Sequence, residues 1–343
     1  MELKDASLKS YHPEIRPIII AFYTESCCVG NTINNKLVRK ATVDQYVNTA
    51  IKYALEVSGI DPSIDPSTNK RHNLIEAALQ ELKRWEKVPN RRQPLTIPMI
   101  RWLKQKAEST HEDSLENATI DWLIVGLHTG YRSVEWCQEK DPSIDGFFCA
   151  ENPDRSTYAV CEDDITFDDA QGRKCRDKLD PKAVIFNETF RFQKNKEHGQ
   201  IKSFAKNEET PDLCAKEAMQ RIIDRARKLG VQPDEPLAVY KRWKGSNKPK
   251  WIVRASLDRL LKEAAEACYD LSKEEKARYS SHSIRVGASV YLNAAGFSGM
   301  DIMNRLRWKS DCYLVYLRNI TLLAVKHAKA ISSMDIDQWC ISD

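Results

Sequence analysis

Apolar residues recur at helical spacing through the first third of the chain. This pattern predicts a helix from Thr42, a capping residue, to Gly59, a second helix over 73–87, and a third that starts at Thr96 with Pro98 in its first turn. A basic turn, 89–94, separates the second helix from the third, and residues 1–40 match no pattern we can name. The first 110 residues therefore predict a small, basic, all-helical domain.

The pattern changes after a short polar linker over 106–117. A long apolar helix is predicted from Ala118 to about Leu127, followed by a turn or cap at Gly130. A β-hairpin is predicted from two strands, 183–192 and 200–204, joined by a charged tip. Further helices are predicted at 210–230, 254–269, 272–278 and after the capping box Ser298-x-x-Asp301. An apolar stretch near the C-terminus predicts a further helix. Residues 111–343 thus predict a second domain, mainly helical with a small β element.

Length and composition agree with two globular domains. The chain has 343 residues, of which 42% are hydrophobic and 30% charged, and no uncharged apolar run is long enough for a membrane helix. The first 20 residues lack the order of a signal peptide, and the ten cysteines form no CxxC pair. We therefore expect an intracellular protein with reduced thiols and no membrane partner.

Charge is distributed unevenly around a net value of only +4. Residues 1–110 hold 17 Lys and Arg against 12 Asp and Glu, whereas residues 139–180 hold 6 against 12. An acidic segment, predicted to be irregular and inserted at the surface, thus masks two basic regions. Basic regions suit a phosphate backbone, although ordinary solvated helix faces would give the same balance.

Separated arginines and a tyrosine suggest phosphodiester chemistry. Arg132 and Arg285 could clamp a phosphate whose negative charge grows in the transition state. A tyrosine can attack as a nucleophile if a base or cationic surroundings activate it, and His282 with the two arginines could supply both. Such covalent chemistry conserves the phosphodiester energy and needs neither a metal nor a nucleotide cofactor.

Four sequence boxes, in order, resemble those of one enzyme family. Gly130-Tyr-Arg132-Ser-Val-Glu135, His282-Ser-Ile-Arg285, Trp308 and Tyr316-Leu-Arg-Asn resemble the active-site boxes of the tyrosine recombinases, or phage integrases. The run from Arg307 to Asp311 and Tyr316-Leu-Arg are most similar to recombinases of Crypton and DIRS-type mobile elements and related viral genomes. The resemblance implies an N-terminal helical core-binding (SAM-like) domain and a C-terminal catalytic domain that close around DNA.

The resemblance also implies roles for the phosphate-binding residues. Arg132 and Arg285 would hold the scissile phosphate, Glu135 would support them, and His282 would act in proton transfer. The implied partners are double-stranded DNA recombination sites and other copies of the chain. These copies would form a tetramer on paired sites, coupled by the C-terminal segment as an interaction helix. Neither a small-molecule substrate nor a cofactor is implied, and a eukaryotic host would place the protein in the nucleus.

The remaining implied roles concern strand cleavage itself. Trp308 would donate its indole N–H to a phosphate oxygen, and Tyr316 would attack phosphorus to form a 3′-phosphotyrosyl link and release a 5′-hydroxyl. A lysine in the hairpin would protonate the leaving oxygen, and Lys194 at the tip is the first choice, with Lys196 and Lys202 as rivals.

Two spacings depart from the family pattern. Tyr316 follows Trp308 by eight residues, one fewer than in most relatives, and Tyr313 lies on a similar helical face. The interval from Arg132 to Lys194, 62 residues, is longer than usual and contains the acidic segment. Taken singly, Arg132 could merely cap a helix and Trp308 could be simple core.

Three functions are compatible with these residues. The first is site-specific recombination or integration by a mobile or viral element. The second is the related chemistry of a type IB topoisomerase or telomere resolvase. The third is DNA binding by a catalytically inactive relative.

Overall fold

The structure is a computed structural model that describes residues 7–30, 38–85, 91–140, 158–193, 197–246 and 248–317. The chain divides into two compact units, Met1–Pro89 and Asn90–Asp343. Both are mainly helical, and the sheets are small. This confirms the predicted mainly helical class.

The first unit is a small bundle. Its helices are α1 (Ile15–Cys28), α2 (Lys40–Ser58) and α3 (Asn73–Trp85), and a two-residue ladder joins β1 (Ile64–Asp65) to β2 (Lys70–Arg71). Its core is formed by apolar residues of all three helices: Ile19, Ile20, Val43, Val47, Ile75 and Leu79. Helix α2 ends at Gly59, as predicted, whereas α1 lies in the segment for which the sequence predicted no element.

The division between the units precedes the predicted one near residue 110. Helix α4 (Ile97–Ala107) buries Met99, Ile100 and Leu103 in the core of the second unit. Just before α4, the backbone N–H of Leu95 donates to the carbonyl of Ser283 at 2.8 Å. The third predicted helix therefore packs with the C-terminal unit, because its apolar face finds its partners there.

Helix α5 (Leu115–Thr129) lies at the centre of the second unit. Ser114 caps its first turn, and most residues from Ala118 to Gly126 are buried, so that the helix is apolar on nearly all sides. It packs against α4 and against a helix further along the chain, α6 (Ala215–Lys228). Gly130 terminates α5 in the left-handed conformation.

A three-stranded antiparallel sheet contains the predicted hairpin. Its strands are β3 (Ile165–Asp169), β4 (Ala183–Phe190) and β5 (Gln200–Ala205), in that order. Phe167, Phe186 and Phe204 are cross-strand neighbours and are buried. The expectation that all of 139–180 is an irregular surface insertion is therefore wrong for β3, whose Ile165 and Phe167 face the core; residues 141–157 lie outside the described ranges.

The remaining elements bring the C-terminal boxes together. They are β6 (Val239–Tyr240), β7 (Lys250–Trp251), α7 (Arg254–Cys268), α8 (Lys273–Lys276), α9 (His282–Ala294), α10 (Gly299–Arg305) and α11 (Leu314–Leu317). The capping box predicted at Ser298 and Asp301 is present at the start of α10. The predicted C-terminal interaction helix falls outside the described residues.

Candidate active site

Helix α5 ends in a turn at Gly130, and Arg132 follows this turn. Gly130 has φ +63°, and a Cβ there would lie 2.6 Å from Cδ2 of Leu306, so both the backbone and the packing favour glycine. A 3-10 helix, Ser133–Glu135, follows Arg132. The Arg132 side chain is 23% exposed, and its Nη1 donates to Oε1 of Glu135 at 2.7 Å. Arg132 is thus anchored by Glu135 and remains partly exposed to solvent.

Arg285 lies beneath this turn, in the first turns of α9. Its guanidinium donates to the carbonyls of Gly130 at 2.5 Å and Leu306 at 2.8 Å, and lies 4.7 Å from the ring centroid of Trp308. Burial, followed by the nearby charge of Arg132, lowers the pKa of Arg285 to about 9. The group remains protonated at neutral pH, and a bound anion would relieve the repulsion between the two arginines.

His282 and Tyr316 form a hydrogen-bonded pair beside the arginines. Nε2 of His282 lies 2.8 Å from the hydroxyl oxygen of Tyr316. Although the histidine ring reaches solvent, desolvation by the surrounding protein and then the positive charges of Arg285 and Arg92 lower its pKa to about 4. The imidazole is therefore neutral at pH 7, and with its proton on Nδ1 it can accept the tyrosine proton through Nε2.

Trp308 lies between Arg285 and the tyrosine. Its ring is 5.4 Å from that of Tyr316 in an edge-to-face arrangement, and the residue is 9% exposed. Its Nε1 is buried and has no hydrogen-bond partner among the described residues. An unpaired buried donor costs free energy, so this N–H is suited to an incoming acceptor oxygen.

The rival tyrosine has a different environment. Tyr313 is 7% exposed and belongs to a small cluster with Ile302, Leu306 and Trp308. Its hydroxyl oxygen lies 2.0 Å from where a Cβ on Gly299 would be, so it packs against the start of α10. The tyrosine hydroxyl within hydrogen-bond distance of His282 is that of Tyr316.

The hairpin lysine is only partly defined. Lys194, the predicted general acid, and Lys196 lie outside the described residues. Lys202 on β5 donates from Nζ to Oδ1 of Asn304 at 2.7 Å. Partial burial and the charges of Arg305 and Arg307 lower the pKa of Lys202.

Sequence reasoning missed several charged groups around this site. Arg92 and Arg254 are exposed and close enough to His282 to lower its pKa. The run of basic residues in the turn 89–94 was a signal for Arg92, but the turn was not linked to the site. Arg307 had no predicted role beyond its place in a motif, although its side chain is 0% exposed and pairs with Glu135.

A buried glutamate adjoins Arg307. Glu188 on β4 is 1% exposed and accepts a hydrogen bond from the Tyr131 hydroxyl at 2.6 Å. Burial raises its pKa to about 8. Glu188 is therefore largely protonated at neutral pH. Glu135 is the carboxylate that accepts hydrogen bonds from both Arg132 and Arg307.

The described ranges contain no cluster of three or more His, Cys, Asp and Glu residues arranged to hold a metal ion. Within the same ranges, no helix has the length and apolar character needed to cross a membrane.

Comparison with known proteins gave structural matches alone. No model of a known protein family matches the sequence, and no curated protein matches it. Among solved structures, the Tn1549 transposon integrase in complex with transposon right end DNA aligns with 95% of this chain and 86% of its own, at 13% identity and a TM-score of 0.45. The same integrase in complex with a circular intermediate DNA aligns with 90% and 82%, at 14% identity and a TM-score of 0.48. At this level of similarity no residue role is transferred to this chain.

Proposed function

We propose that this chain is a tyrosine recombinase that cleaves and rejoins DNA strands for a mobile or viral element of the Crypton or DIRS type. The observation that carries the proposal is the hydrogen bond between Tyr316 and neutral His282, placed beside Arg132 and Arg285. These residues supply a nucleophile, a base and two phosphate-binding cations, which are the groups that attack on phosphorus uses.

Cleavage would begin with proton transfer within the pair. His282 takes the hydroxyl proton on Nε2 while the Tyr316 oxygen attacks phosphorus. The bond to the 5′-oxygen breaks, leaving a 3′-phosphotyrosyl link, and that oxygen takes a proton from a general acid. We assign this acid to Lys194. Attack by a 5′-hydroxyl of the partner strand reverses the chemistry and restores the tyrosine.

The phosphate would sit between the arginines and the indole. Arg132 donates with the N–H groups that Glu135 does not use, and Arg285 donates with those that the carbonyls of Gly130 and Leu306 do not use. The unpaired N–H of Trp308 supplies a further donor. These donors are positioned before substrate binds, so little reorganisation accompanies the growth of negative charge.

Covalent capture on nicked suicide DNA tests the chemistry. Such DNA loses a short fragment after cleavage, so that rejoining fails and the covalent complex accumulates. The wild-type protein should form an adduct that resists denaturant, Tyr316→Phe should form none, and Tyr313→Phe is the matched control that should retain it. Substrates come from inverted or direct repeats that flank the coding sequence.

Two other outcomes would identify other functions. Relaxation of single-site plasmids without joint products from two-site DNA would indicate a topoisomerase or resolvase. DNA binding without any adduct would indicate an inactive relative.

We propose that four copies act on two paired sites, coupled by the C-terminal segment, and that the protein works inside the cell, in the nucleus if the host is eukaryotic. Deleting residues 324–343 should impair pairing of two sites more than binding of one. Equal loss of both would contradict this coupling.

A further inference from the structure

Arg307 has an unusual backbone and an unusual environment. Its φ is +57°, a left-handed conformation that disfavours residues with a Cβ. Its side chain is 0% exposed. Such strain and burial of a charge are costly, and they are retained only where the surrounding structure compensates for them. Here the compensation must come from contacts of the arginine side chain, which glycine would lack.

Those contacts join three segments of the second unit. Nη1 donates to the carbonyl of Thr129 at the end of α5, at 2.9 Å, and Nη2 donates to Oε2 of Glu135 at 2.7 Å. The guanidinium carbon lies 3.5 Å from the ring centroid of Phe190 on β4. Arg307 therefore fixes the Glu135 carboxylate relative to both a helix and the sheet.

Glu135 in turn holds Arg132 at two points. Its Oε2 accepts from the backbone N–H of Arg132 at 2.9 Å, and its Oε1 accepts from Nη1 of Arg132 at 2.7 Å. The carboxylate is 6% exposed, so few waters compete for it. The order of contacts runs from Arg307 through Glu135 to Arg132.

We propose that Arg307 is a positioning residue that orients Arg132 through Glu135. The consequence for strand cleavage rests on the proposed function, whereas the positioning itself does not. Because the Arg307 side chain is wholly buried, its removal should affect the orientation of Arg132 and leave the DNA-contacting surface in place.

A double-mutant cycle separates positioning from a merely structural role. Single-turnover cleavage of suicide DNA and DNA affinity are measured for wild type, Arg307→Gly, Arg132→Ala and the double variant. Arg307→Gly should lower the rate roughly 10- to 100-fold, with DNA affinity nearly unchanged. In the Arg132→Ala background it should have no further effect. Equal losses in both backgrounds, or a loss confined to affinity, would overturn the proposal.

Arg307→Lys is a second variant in case glycine at 307 prevents folding. It keeps the charge, but a single ammonium cannot reproduce the fork that reaches both Thr129 and Glu135. It should recover part of the cleavage rate if Arg307→Gly folds. If only Arg307→Lys folds, its rate should be reduced, and its effect should vanish in the Arg132→Ala background. A wild-type rate for Arg307→Lys, or equal effects in both backgrounds, would overturn the proposal.

Amide hydrogen exchange tests positioning without any cleavage. The Arg132 amide, which donates to Glu135, should exchange faster in the folded Arg307 variant, while the amide of Leu260 in the core serves as the control. Suppose that the wild-type protein forms no covalent adduct with DNA, but that the Arg307 variant shows faster exchange at the Arg132 amide and not at Leu260. This result would support positioning and contradict the proposed function. If the Arg307 variant shows unchanged exchange and unchanged cleavage, the positioning role is contradicted and the proposed function is not.

Discussion

The hydroxyl oxygen of Tyr316 lies 2.8 Å from Nε2 of His282, although the two residues are 34 positions apart. The contact joins the start of α9 to α11, and Trp308 packs its ring against the tyrosine. Folding thus brings the neutral imidazole of His282 within hydrogen-bond distance of the hydroxyl of Tyr316, the residue proposed as nucleophile.

The fall of the cleavage rate at acid pH should reflect protonation of His282. Its pKa is lowered to about 4, so it stays unprotonated down to about pH 5 and cleavage should persist there. NMR titration of the ring should give a midpoint near 4, and Arg92→Gln should raise the pKa because it removes a positive charge. A midpoint near the ordinary value of 6.5 would contradict this environment.

The same shift has a consequence for stability, with a definite sign. Between the unfolded value of 6.5 and the folded value of about 4, the unfolded chain binds a proton that the folded chain does not. The contribution of His282 to stability is therefore complete above about pH 6.5 and is lost as the pH falls towards 4. Chemical denaturation of His282→Asn should show a weaker pH dependence over this range.

Two glycines with similar backbones should respond differently to alanine. Gly130 has φ +63° and a crowded Cβ position, whereas Gly172 has φ +75° and open space. Gly172→Ala should cost about 1 kcal/mol from the backbone alone. Gly130→Ala should cost about 2–4 kcal/mol, because overpacking against Leu306 adds to the same strain.

Denaturant unfolding measures both costs. Gly130→Ala should also slow cleavage, because the Gly130 carbonyl accepts a hydrogen bond from Arg285. Equal destabilisation by the two variants would show that packing against Leu306 is unimportant.

Local patterns in the sequence predicted much of the fold. Helices α2 and α3 and the β4–β5 hairpin carry clear periodicity, so their positions follow from the spacing of apolar residues. Strand β3 was missed because its apolar Ile165 and Phe167 stand among aspartates. Helix α1 was not predicted because apolar residues lie on its exposed side, Ile18 and Phe22 among them, as well as on its buried side, so the segment shows no clear amphipathic pattern.

Tertiary partners decided the features that the sequence could not predict. Helix α4 joins the second unit because its apolar face packs there with residues such as Leu123 and Leu257, far along the chain. In the site, Arg132, His282, Arg285, Trp308 and Tyr316 could be nominated from residue types and a family resemblance. The positive φ of Arg307 could not, since no local signal marks a non-glycine residue for that conformation.

The hairpin lysines should differ in their effect on leaving-group protonation. Lys194→Ala should slow cleavage by about 100-fold or more, as loss of a general acid does. A substrate with sulfur in place of the bridging 5′-oxygen should restore the rate, because a thiolate leaves without a proton. Lys202 already donates a hydrogen bond to Asn304, so the sulfur-containing substrate should not restore the cleavage rate of Lys202→Ala. Rescue of Lys202→Ala or Lys196→Ala instead would reassign the acid.

The most direct test is to map the residue that becomes linked to DNA. The wild-type protein is trapped on nicked suicide DNA and digested with nuclease and protease, and the modified peptide is sequenced by mass spectrometry. The proposed chemistry predicts a nucleoside joined through its 3′-phosphate to the hydroxyl oxygen of Tyr316. A link to Tyr313 or to any other residue, or no link on DNA that the protein binds, would contradict it.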